Sequence, residues 1–283
     1  MRRDSRQTVG VCSWSLRPKH PAALRDALNR LRLDACQLAL TPIVDDPANW
    51  ASAIELLRDA GVRVVSGMLS MLGEDYSTLD SIRETGGVAS DALWPTNLDR
   101  ARRVADLAAG EGIPLVTFHA GFLPHEAADP RRGVMLERLR AVAAAFAQAG
   151  VQLGLETGQE TADTLLDVLA ELDAPNVHVN FDPANMILYG MGDPVTSLRA
   201  LADHVVQVHV KDARPTTKPG TWGAETPVGE GAVVWPAFLG IVRDLPRPVD
   251  LIIEREAGEH REHDIAVARD HVRRLLAAPG AIA

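Results

Sequence analysis

Cysteines, aromatic residues and long apolar runs are all scarce in this chain. Its 283 residues include two cysteines, and aromatic side chains make up 4% of the total. Cys12 and Cys36 both lie inside apolar, strand-like runs, which favours two buried thiols in a reducing cytoplasm over a disulfide framework. The composition therefore gives no support to a disulfide-stapled secreted domain.

Apolar runs of the length that membrane and targeting segments require are lacking as well. The first residues, MRRDSRQTVG, contain arginines but no apolar run long enough for the core of a signal peptide. No stretch approaches the roughly 18 uninterrupted apolar residues of a membrane span. We therefore expect a soluble, cytoplasmic protein that does not associate with membranes.

Positive charge is in deficit. Lys and Arg number 29 against 38 Asp and Glu, which gives a formal net charge of −9 at pH 7. Such a charge repels phosphate backbones and anionic lipid surfaces, so nucleic acid is not expected as the main partner. Hydrophobic residues reach 46% and charged residues 24%, an ordinary balance for a globular protein with a large core.

Short apolar runs recur along the chain and predict eight buried β-strands. The predicted strands are Thr8–Trp14, Asp34–Leu40, Gly61–Met68, Ile113–Ala120, Val151–Thr157, Val177–Asp182, Val205–Asp212 and Val249–Glu256. Nearly continuous apolar runs are typical of parallel strands that are covered on both faces. Helix-period segments follow most of them, for example Leu98–Gly112 and Gly133–Gly150, and each of these ends at a glycine.

The alternation of strands and helices predicts a parallel sheet, either open and doubly wound or closed into a barrel. No GxGxxG motif follows the first strand, which removes the main signal for a dinucleotide-binding fold. Eight units favour a (β/α)8 TIM barrel of the α/β class, which needs about 250 residues, as a single domain over residues 1–283. Two long segments, Leu69–Asn97 and Ala213–Trp235, are predicted as loops that form a lid or substrate-binding wall.

Five of the predicted strands end in a side chain that can bind a metal or move a proton. These side chains are His119, Glu156, Asp182, His209 and Glu254. The carboxyl ends of barrel strands meet at one rim, where the active sites of TIM barrels form. Any one of these residues alone has a simpler explanation, such as a helix cap for Asp182, but converging carboxylates repel one another unless a cation lies between them. Two Glu, one Asp and one His suit Mn²⁺ or Mg²⁺, with Zn²⁺ or Co²⁺ as alternatives.

The segments GLETG, NFDPANM, VHVKDA, WGAETPVGEG and LIIEREAG together resemble the sugar phosphate isomerase/epimerase superfamily, the xylose-isomerase-like TIM barrels with the AP endonuclease family 2 fold. The resemblance covers nearly the whole chain. Ketose 3-epimerases are closest in pattern, and the likeness implies one divalent ion bound by Glu156, Asp182, His209 and Glu254. It also implies that Glu156 and Glu254 form an acid/base pair, in which one carboxylate removes a proton beside a ketone and the other returns a proton to the opposite face of the enediolate.

Neighbours of these residues are candidates for substrate binding. They are Trp14, His119, Asn185, Lys211 and Arg214. Each has an alternative role in packing, in helix capping or as a solvated side chain. Asn185 stands where the ketose 3-epimerases often carry a substrate-binding histidine, and this departure weakens a direct epimerase assignment. Glu160 is a candidate cap for the helix that follows, and Asp212 a candidate carboxylate behind the metal ligands.

Several functions share this fold. The first prediction is a metal-dependent isomerase or epimerase of carbohydrate metabolism that acts on a ketose or keto-sugar derivative. A metal-dependent lyase or dehydratase acting on a keto-inositol or keto-glycoside is the alternative, because it uses the same enolate chemistry. An endonuclease IV-like DNA repair enzyme needs extra histidines that are absent at Asn185 and in KDARPTTKPGTW. A barrel that only binds a sugar is disfavoured by the two retained glutamates. The predicted partner is a small-molecule sugar, and a homo-oligomer stays open because relatives form dimers or tetramers.

Overall fold

The computed structural model describes residues 7–218 and 220–278. The arginine-containing segment at residues 1–6 lies outside the described residues, and the extent of the domain over all of 1–283 stays a prediction. Eight parallel strands form a closed barrel in which each strand pairs with the barrel strands before and after it in the chain, and the last pairs with the first. This barrel confirms the predicted TIM barrel fold.

Each of the eight predicted strands is present, with ends that match the predicted bounds or lie up to three residues inside them. The barrel strands are β1 Val9–Cys12, β2 Ala35–Ala39, β3 Arg63–Met68, β4 Leu115–Phe118, β5 Gln152–Glu156, β6 Val177–Phe181, β7 Val205–Val210 and β10 Asp250–Ile253. The helices are α1 Pro21–Leu31, α2 Thr41–Asp45, α3 Pro47–Trp50, α4 Ala53–Asp59, α5 Leu79–Thr85, α6 Trp94–Gly110, α7 Pro130–Gln148, α8 Ala162–Leu172, α9 Pro183–Tyr189, α10 Pro194–Ala200, α11 Trp235–Asp244 and α12 Arg261–Ala277. Within the described residues, none of the helices combines the length and hydrophobicity that a bilayer span requires.

The first of the two segments predicted as loops, Leu69–Asn97, is partly helical. Helix α5 lies in its middle, and its cap Thr78 accepts a hydrogen bond from the backbone nitrogen of Ser81 at 3.0 Å. The Ser81 hydroxyl in turn accepts a hydrogen bond from the backbone nitrogen of Thr78 at 3.0 Å, which completes a capping box. The segment predicted as a long loop therefore contains helix α5 and the first residues of α6, because Thr78 and Ser81 provide the cap with which α5 begins.

The second of these segments, Ala213–Trp235, contains a short antiparallel hairpin of β8 (Asp212–Arg214) and β9 (Ala224–Thr226). Asp212 holds the rest of the segment by accepting hydrogen bonds from the backbone of Gly229 at 2.9 Å and from the indole of Trp235 at 2.9 Å. A Cβ at Gly231 would lie 2.0 Å from the Asp212 carboxylate, so only glycine fits there. Among the described residues, every hydrogen bond of the Asp212 carboxylate goes to this segment or to its own strand. Asp212 thus organises the segment instead of supporting a metal ligand.

Candidate metal centre at the carboxyl rim of the barrel

Four of the five strand-end residues lie together at the carboxyl rim of the barrel. Glu156 is the last residue of β5, His209 lies in β7, and Asp182 and Glu254 directly follow β6 and β10. All four side chains are buried. One ligand atom from each lies within 4.8 Å of the corresponding atoms of the others. The four residues thus form one compact cluster of three carboxylates and one imidazole.

Asp182 uses its two carboxylate oxygens differently. Oδ1 caps helix α9 by accepting from the backbone nitrogens of Ala184 at 2.8 Å and Asn185 at 3.0 Å. Oδ2 is buried without a hydrogen-bond partner among the described residues. It lies 3.7 Å from His209 Nδ1 and 3.8 Å from Lys211 Nζ. The residue is therefore a helix cap that also directs a free oxygen into the cluster.

His209 presents a second buried atom without a partner. Within the described part of the chain, its Nδ1 makes no hydrogen bond. It lies 3.4 Å from Glu156 Oε1 and 3.5 Å from Glu254 Oε2. An unpaired buried polar atom costs about 1–3 kcal/mol, so two that face the same point indicate a ligand for them. Oxygen-rich ligands with one imidazole fit a divalent cation, so the residues present are compatible with the metal that the sequence predicts.

Glu156 is held mainly by neutral amides. Its Oε1 accepts from Asn185 Nδ2 at 3.0 Å, and its Oε2 accepts from Asn180 Nδ2 at 3.3 Å. His119 Nε2 lies 3.5 Å from the same Oε1. Burial raises the pKa of Glu156, but the positive potential of His119 and His209 outweighs burial and leaves that pKa below its ordinary value.

Glu254 is held by a cation and an indole. Its Oε1 accepts from Trp14 Nε1 at 2.7 Å, and its Oε2 accepts from Lys211 Nζ at 2.7 Å. Lys211 also donates to Glu256 Oε2 at 2.6 Å. Burial raises the pKa of Glu254, yet Lys211 and His209 hold it well below its usual range. Burial lowers the pKa of Lys211, and Glu254 and Glu256 more than reverse that effect.

The predicted substrate-binding residues fall into two groups. Trp14, His119, Asn185 and Lys211 all contact a carboxylate of the cluster. Arg214 is exposed and donates from Nε to the carbonyl of Glu230 at 2.9 Å, within its own segment. The cap predicted at Glu160 is instead supplied by Thr161, which accepts from the backbone of Thr164 at 3.2 Å. The binding roles themselves stay predictions.

A buried polar layer lies directly beneath the cluster and was not predicted from the sequence. Its members are Gln37, Ser66, Thr117, Asn180 and Gln207, from strands β2, β3, β4, β6 and β7. Three of them precede a strand-end residue by two positions, as in VNFD, VQVH and VTFH. Side chains two apart on a strand point the same way, so this spacing was an available signal that the polar residues face the barrel interior.

Aromatic side chains stand on the loops that follow the carboxyl ends of the strands and, in the case of Tyr189, at the end of helix α9. Tyr189 packs between Phe122 and Trp222, with ring centroids 5.5 Å and 5.0 Å away. Tyr76 lies edge-on to His119 at 6.3 Å. All of these rings except the more exposed Tyr76 are half-buried. The loops therefore offer apolar faces of the kind that pack against the C–H face of a sugar.

The family model for the xylose isomerase-like TIM barrel matches residues 26–275. A search of curated proteins gave no match. Among solved structures, a xylose isomerase domain protein from Planctomyces limnophilus is 28% identical with a TM-score of 0.81, over 88% of this chain and 91% of that one.

Two more distant structures share the fold at lower identity. A probable 3-DHS dehydratase from Bacillus anthracis is 16% identical with a TM-score of 0.72, over 95% of this chain and 99% of that one. The 3-keto-D-glucoside 4-epimerase from E. coli is 13% identical with a TM-score of 0.72, over 95% of this chain and 100% of that one. At such identities the likeness concerns the fold alone. With the matched model covering most of the chain, this protein belongs to the xylose isomerase-like TIM barrel family.

Proposed function

We propose that the protein is a divalent-metal-dependent sugar isomerase or epimerase that acts by enediolate proton transfer on a ketose or keto-sugar derivative. The observation that carries the proposal is the buried cluster of three carboxylates and one imidazole, in which Asp182 Oδ2 and His209 Nδ1 lack partners among the described residues. The similarity in fold to a sugar epimerase and a dehydratase supports the same reaction class.

Glu156, Asp182, His209 and Glu254 would hold the ion, with Mn²⁺ or Mg²⁺ as first choice and Zn²⁺ or Co²⁺ as alternatives. When bound, such an ion polarises a carbonyl oxygen and thereby acidifies the neighbouring C–H bond. The carboxylates alone would repel an electron-rich substrate oxygen, so the cluster needs positive charge to bind one.

Glu156 and Glu254 are the proposed acid/base pair. Glu156 ends β5 and Glu254 directly follows β10, and these strands are separated in the barrel by β6 and β7, so the two carboxylates approach a central substrate from two directions. Each is anchored through both oxygens, Glu156 by two amides and Glu254 by Lys211 and Trp14. Fixed orientation is what proton transfer to and from carbon requires. One carboxylate takes the proton beside the carbonyl, and the other returns one to the opposite face.

A metal-dependent lyase or dehydratase acting on a keto-inositol or keto-glycoside is the second candidate. Asn185 favours it, because this residue binds Glu156 at the position where the ketose 3-epimerases often carry a substrate-binding histidine. In the lyase the same carboxylate would remove the proton, and a hydroxyl group on the next carbon would leave instead of a proton returning.

Proton exchange in D₂O tests the proposal. The Mn²⁺-loaded protein is incubated with ketoses, keto-inositols and 3-keto-glycosides and followed by NMR. We expect deuterium at a carbon next to a carbonyl. An inverted or isomerised sugar indicates an epimerase or isomerase, and a dehydrated product indicates a lyase or dehydratase. Glu156→Gln serves as the control and should incorporate no deuterium. Undiminished exchange in that variant, or a bound sugar that never exchanges in the metal-loaded wild type, contradicts the proposal.

A further inference from the structure

Gln37 connects the buried polar layer to the cluster. It lies in β2 and is fully buried. Its amide nitrogen donates to Thr117 Oγ1 at 2.8 Å and to the carbonyl of Gly67 at 3.2 Å. Its amide oxygen lies 2.7 Å from His209 Nε2. The thiol of Cys12 donates to the same oxygen at 3.5 Å. All hydrogen-bonding groups of this amide therefore have partners.

The Gly67 carbonyl determines which way the amide faces. A carbonyl can only accept, so the NH₂ group of Gln37 must point at it, and the Gln37 oxygen must then point at His209. Two acceptor atoms 2.7 Å apart would repel each other. His209 Nε2 must therefore carry a hydrogen, which leaves the lone pair of the neutral ring on Nδ1. That Nδ1 is the atom that faces the three carboxylates.

Two other described side chains contact the same ring nitrogen, Cys12 through its Sγ at 3.7 Å and Asn180. The nearer of these, Asn180, competes with Gln37. Its Nδ2 lies 3.1 Å from His209 Nε2, and as a donor it would favour the opposite tautomer. The contact to Gln37 is shorter, and Asn180 Nδ2 has another acceptor in Glu156 Oε2 at 3.3 Å. Asn180 Oδ1 is occupied as the acceptor of Gln207 Nε2 at 3.2 Å. The Gln37 contact therefore decides the tautomer.

We propose that Gln37 is a positioning residue that fixes His209 in its Nε2–H tautomer and so keeps Nδ1 available to bind a divalent cation. The cation-binding part rests on the proposed function, whereas the tautomer part does not. Groups that bond to the far nitrogen of a metal-binding histidine set the ring orientation, and their loss typically lowers metal affinity about 10–100-fold.

The test uses two substitutions at Gln37 and one control. Gln37→Leu keeps the approximate shape and removes the acceptor. Gln37→Glu keeps an oxygen acceptor for His209 and, in its neutral form, one hydroxyl donor for the Gly67 carbonyl. Ser66→Ala is the matched control, because Ser66 donates to Gln207 at 2.5 Å in the same layer without contacting His209.

Two readouts are measured on each protein. Long-range ¹H–¹⁵N spectra of the metal-free protein report the tautomer of His209, whose signals are identified by their loss in His209→Gln. Burial lowers the pKa of His209, but the carboxylate of Glu156 and its neighbours raise that pKa well above 6.5, so the spectra are recorded at a pH high enough for the ring to be neutral. Calorimetric titration with Mn²⁺ reports metal affinity. We expect a single Nε2–H tautomer of His209 in the wild type. Gln37→Leu should lose that single tautomer and bind Mn²⁺ about 10–100-fold more weakly. Gln37→Glu should recover both the single tautomer and the Mn²⁺ affinity. Ser66→Ala should resemble the wild type.

Unchanged His209 ring signals in Gln37→Leu would overturn the proposal, as would an equal loss of Mn²⁺ affinity in Ser66→Ala, which would indicate general damage to the core. A wild type that binds no divalent cation would overturn the proposed function and the cation-binding part, while the ring spectra would still decide whether Gln37 selects the tautomer.

Discussion

Glu156 and Glu254 are both held in place at the cluster, but by different kinds of partner. Both carboxylates are buried, and both are fixed through two oxygens. Glu156 is held by the neutral amides of Asn180 and Asn185, whereas Glu254 is bonded to the charged Lys211. The pKa of each lies below its ordinary value despite burial, and the lowering is greater at Glu254 because a full positive charge is in contact with it.

The two members of the proposed acid/base pair therefore differ in what holds them in place. Glu156 depends on hydrogen-bond donors that carry no charge, so loss of one donor removes one bond. Glu254 and Lys211 depend on each other, so loss of either leaves the other as a buried charge with a missing partner. Substitutions on the two sides should therefore differ in their effect on stability even where their effect on activity is alike.

The largest expected effect is on proton transfer. Glu156→Gln and Glu254→Gln should each lower the D₂O exchange rate by about 10²–10⁴-fold, the usual contribution of a positioned acid or base. Glu254→Gln should also lower the free energy of unfolding, because Lys211 loses its buried charged partner. Glu156→Gln should lower it less, because it removes the acceptor of one uncharged amide. Urea unfolding of the two metal-free variants measures the difference. Equal losses of stability would contradict the asymmetry.

Lys211→Met should cost about 3–5 kcal/mol in unfolding free energy, since it leaves Glu254 buried without its cation. The control is Glu256→Gln, which removes the other carboxylate bonded to Lys211. The Glu256 side chain is 51% exposed, so its loss should cost no more than about 1 kcal/mol. Denaturant unfolding of the wild type and the two variants measures these free energies. A similar loss for both variants would show that the buried and the exposed ion pair of Lys211 contribute equally to stability.

A third buried glutamate extends the comparison to a carboxylate without a cation. Glu160 has no ion pair within residues 7–218 and 220–278, and burial raises its pKa from 4.5 to about 8. The folded protein therefore binds a proton that the unfolded chain releases, and this contribution to the unfolding free energy is lost as pH rises from 4.5 towards 8. Glu160→Gln should remove that pH dependence and exceed the wild type in stability above pH 8. Unfolding free energies of the wild type and Glu160→Gln that change in parallel from pH 5 to 9 would contradict this prediction.

The smallest expected effect is the loss of stability when an amide that binds Glu156 is removed. Asn185→Leu removes the hydrogen bond to Glu156 Oε1 and should cost about 1–3 kcal/mol, less than Lys211→Met. Asn185→Asp is the matched variant of similar shape, and it should destabilise more because it turns an acceptor towards a carboxylate. Thermal unfolding of metal-free protein measures both. A loss for Asn185→Leu as large as that for Lys211→Met would remove the distinction between the two sides.

The barrel and the cluster were predictable because each signal is local in the sequence. Every barrel strand is a short apolar run, and Asp182 and Glu254 each interrupt such a run at its end. The hairpin strand Ala224–Thr226 was missed because three residues carry no periodicity. The stability of such a short strand comes from pairing with Asp212–Arg214, which is a tertiary contact.

The supporting contacts of the cluster could not be predicted in the same way. A lone glutamine such as Gln37 in an apolar run gives no sign of its partner, since His209 lies 172 positions away. The same holds for Lys211, which follows His209 by two residues but bonds to Glu254 and Glu256 from another strand. Such pairings depend on strand register at the barrel mouth, which the apolar pattern does not encode to within one residue.

Anomalous scattering from crystals grown with Mn²⁺ tests the central claim most directly. We predict one anomalous peak among Glu156, Asp182, His209 and Glu254, within bonding distance of Asp182 Oδ2 and His209 Nδ1. The peak should vanish in crystals of Asp182→Asn grown under the same conditions. Well-ordered wild-type crystals that show no peak at this cluster, with the four side chains in their present positions, would contradict the metal centre and the function proposed from it.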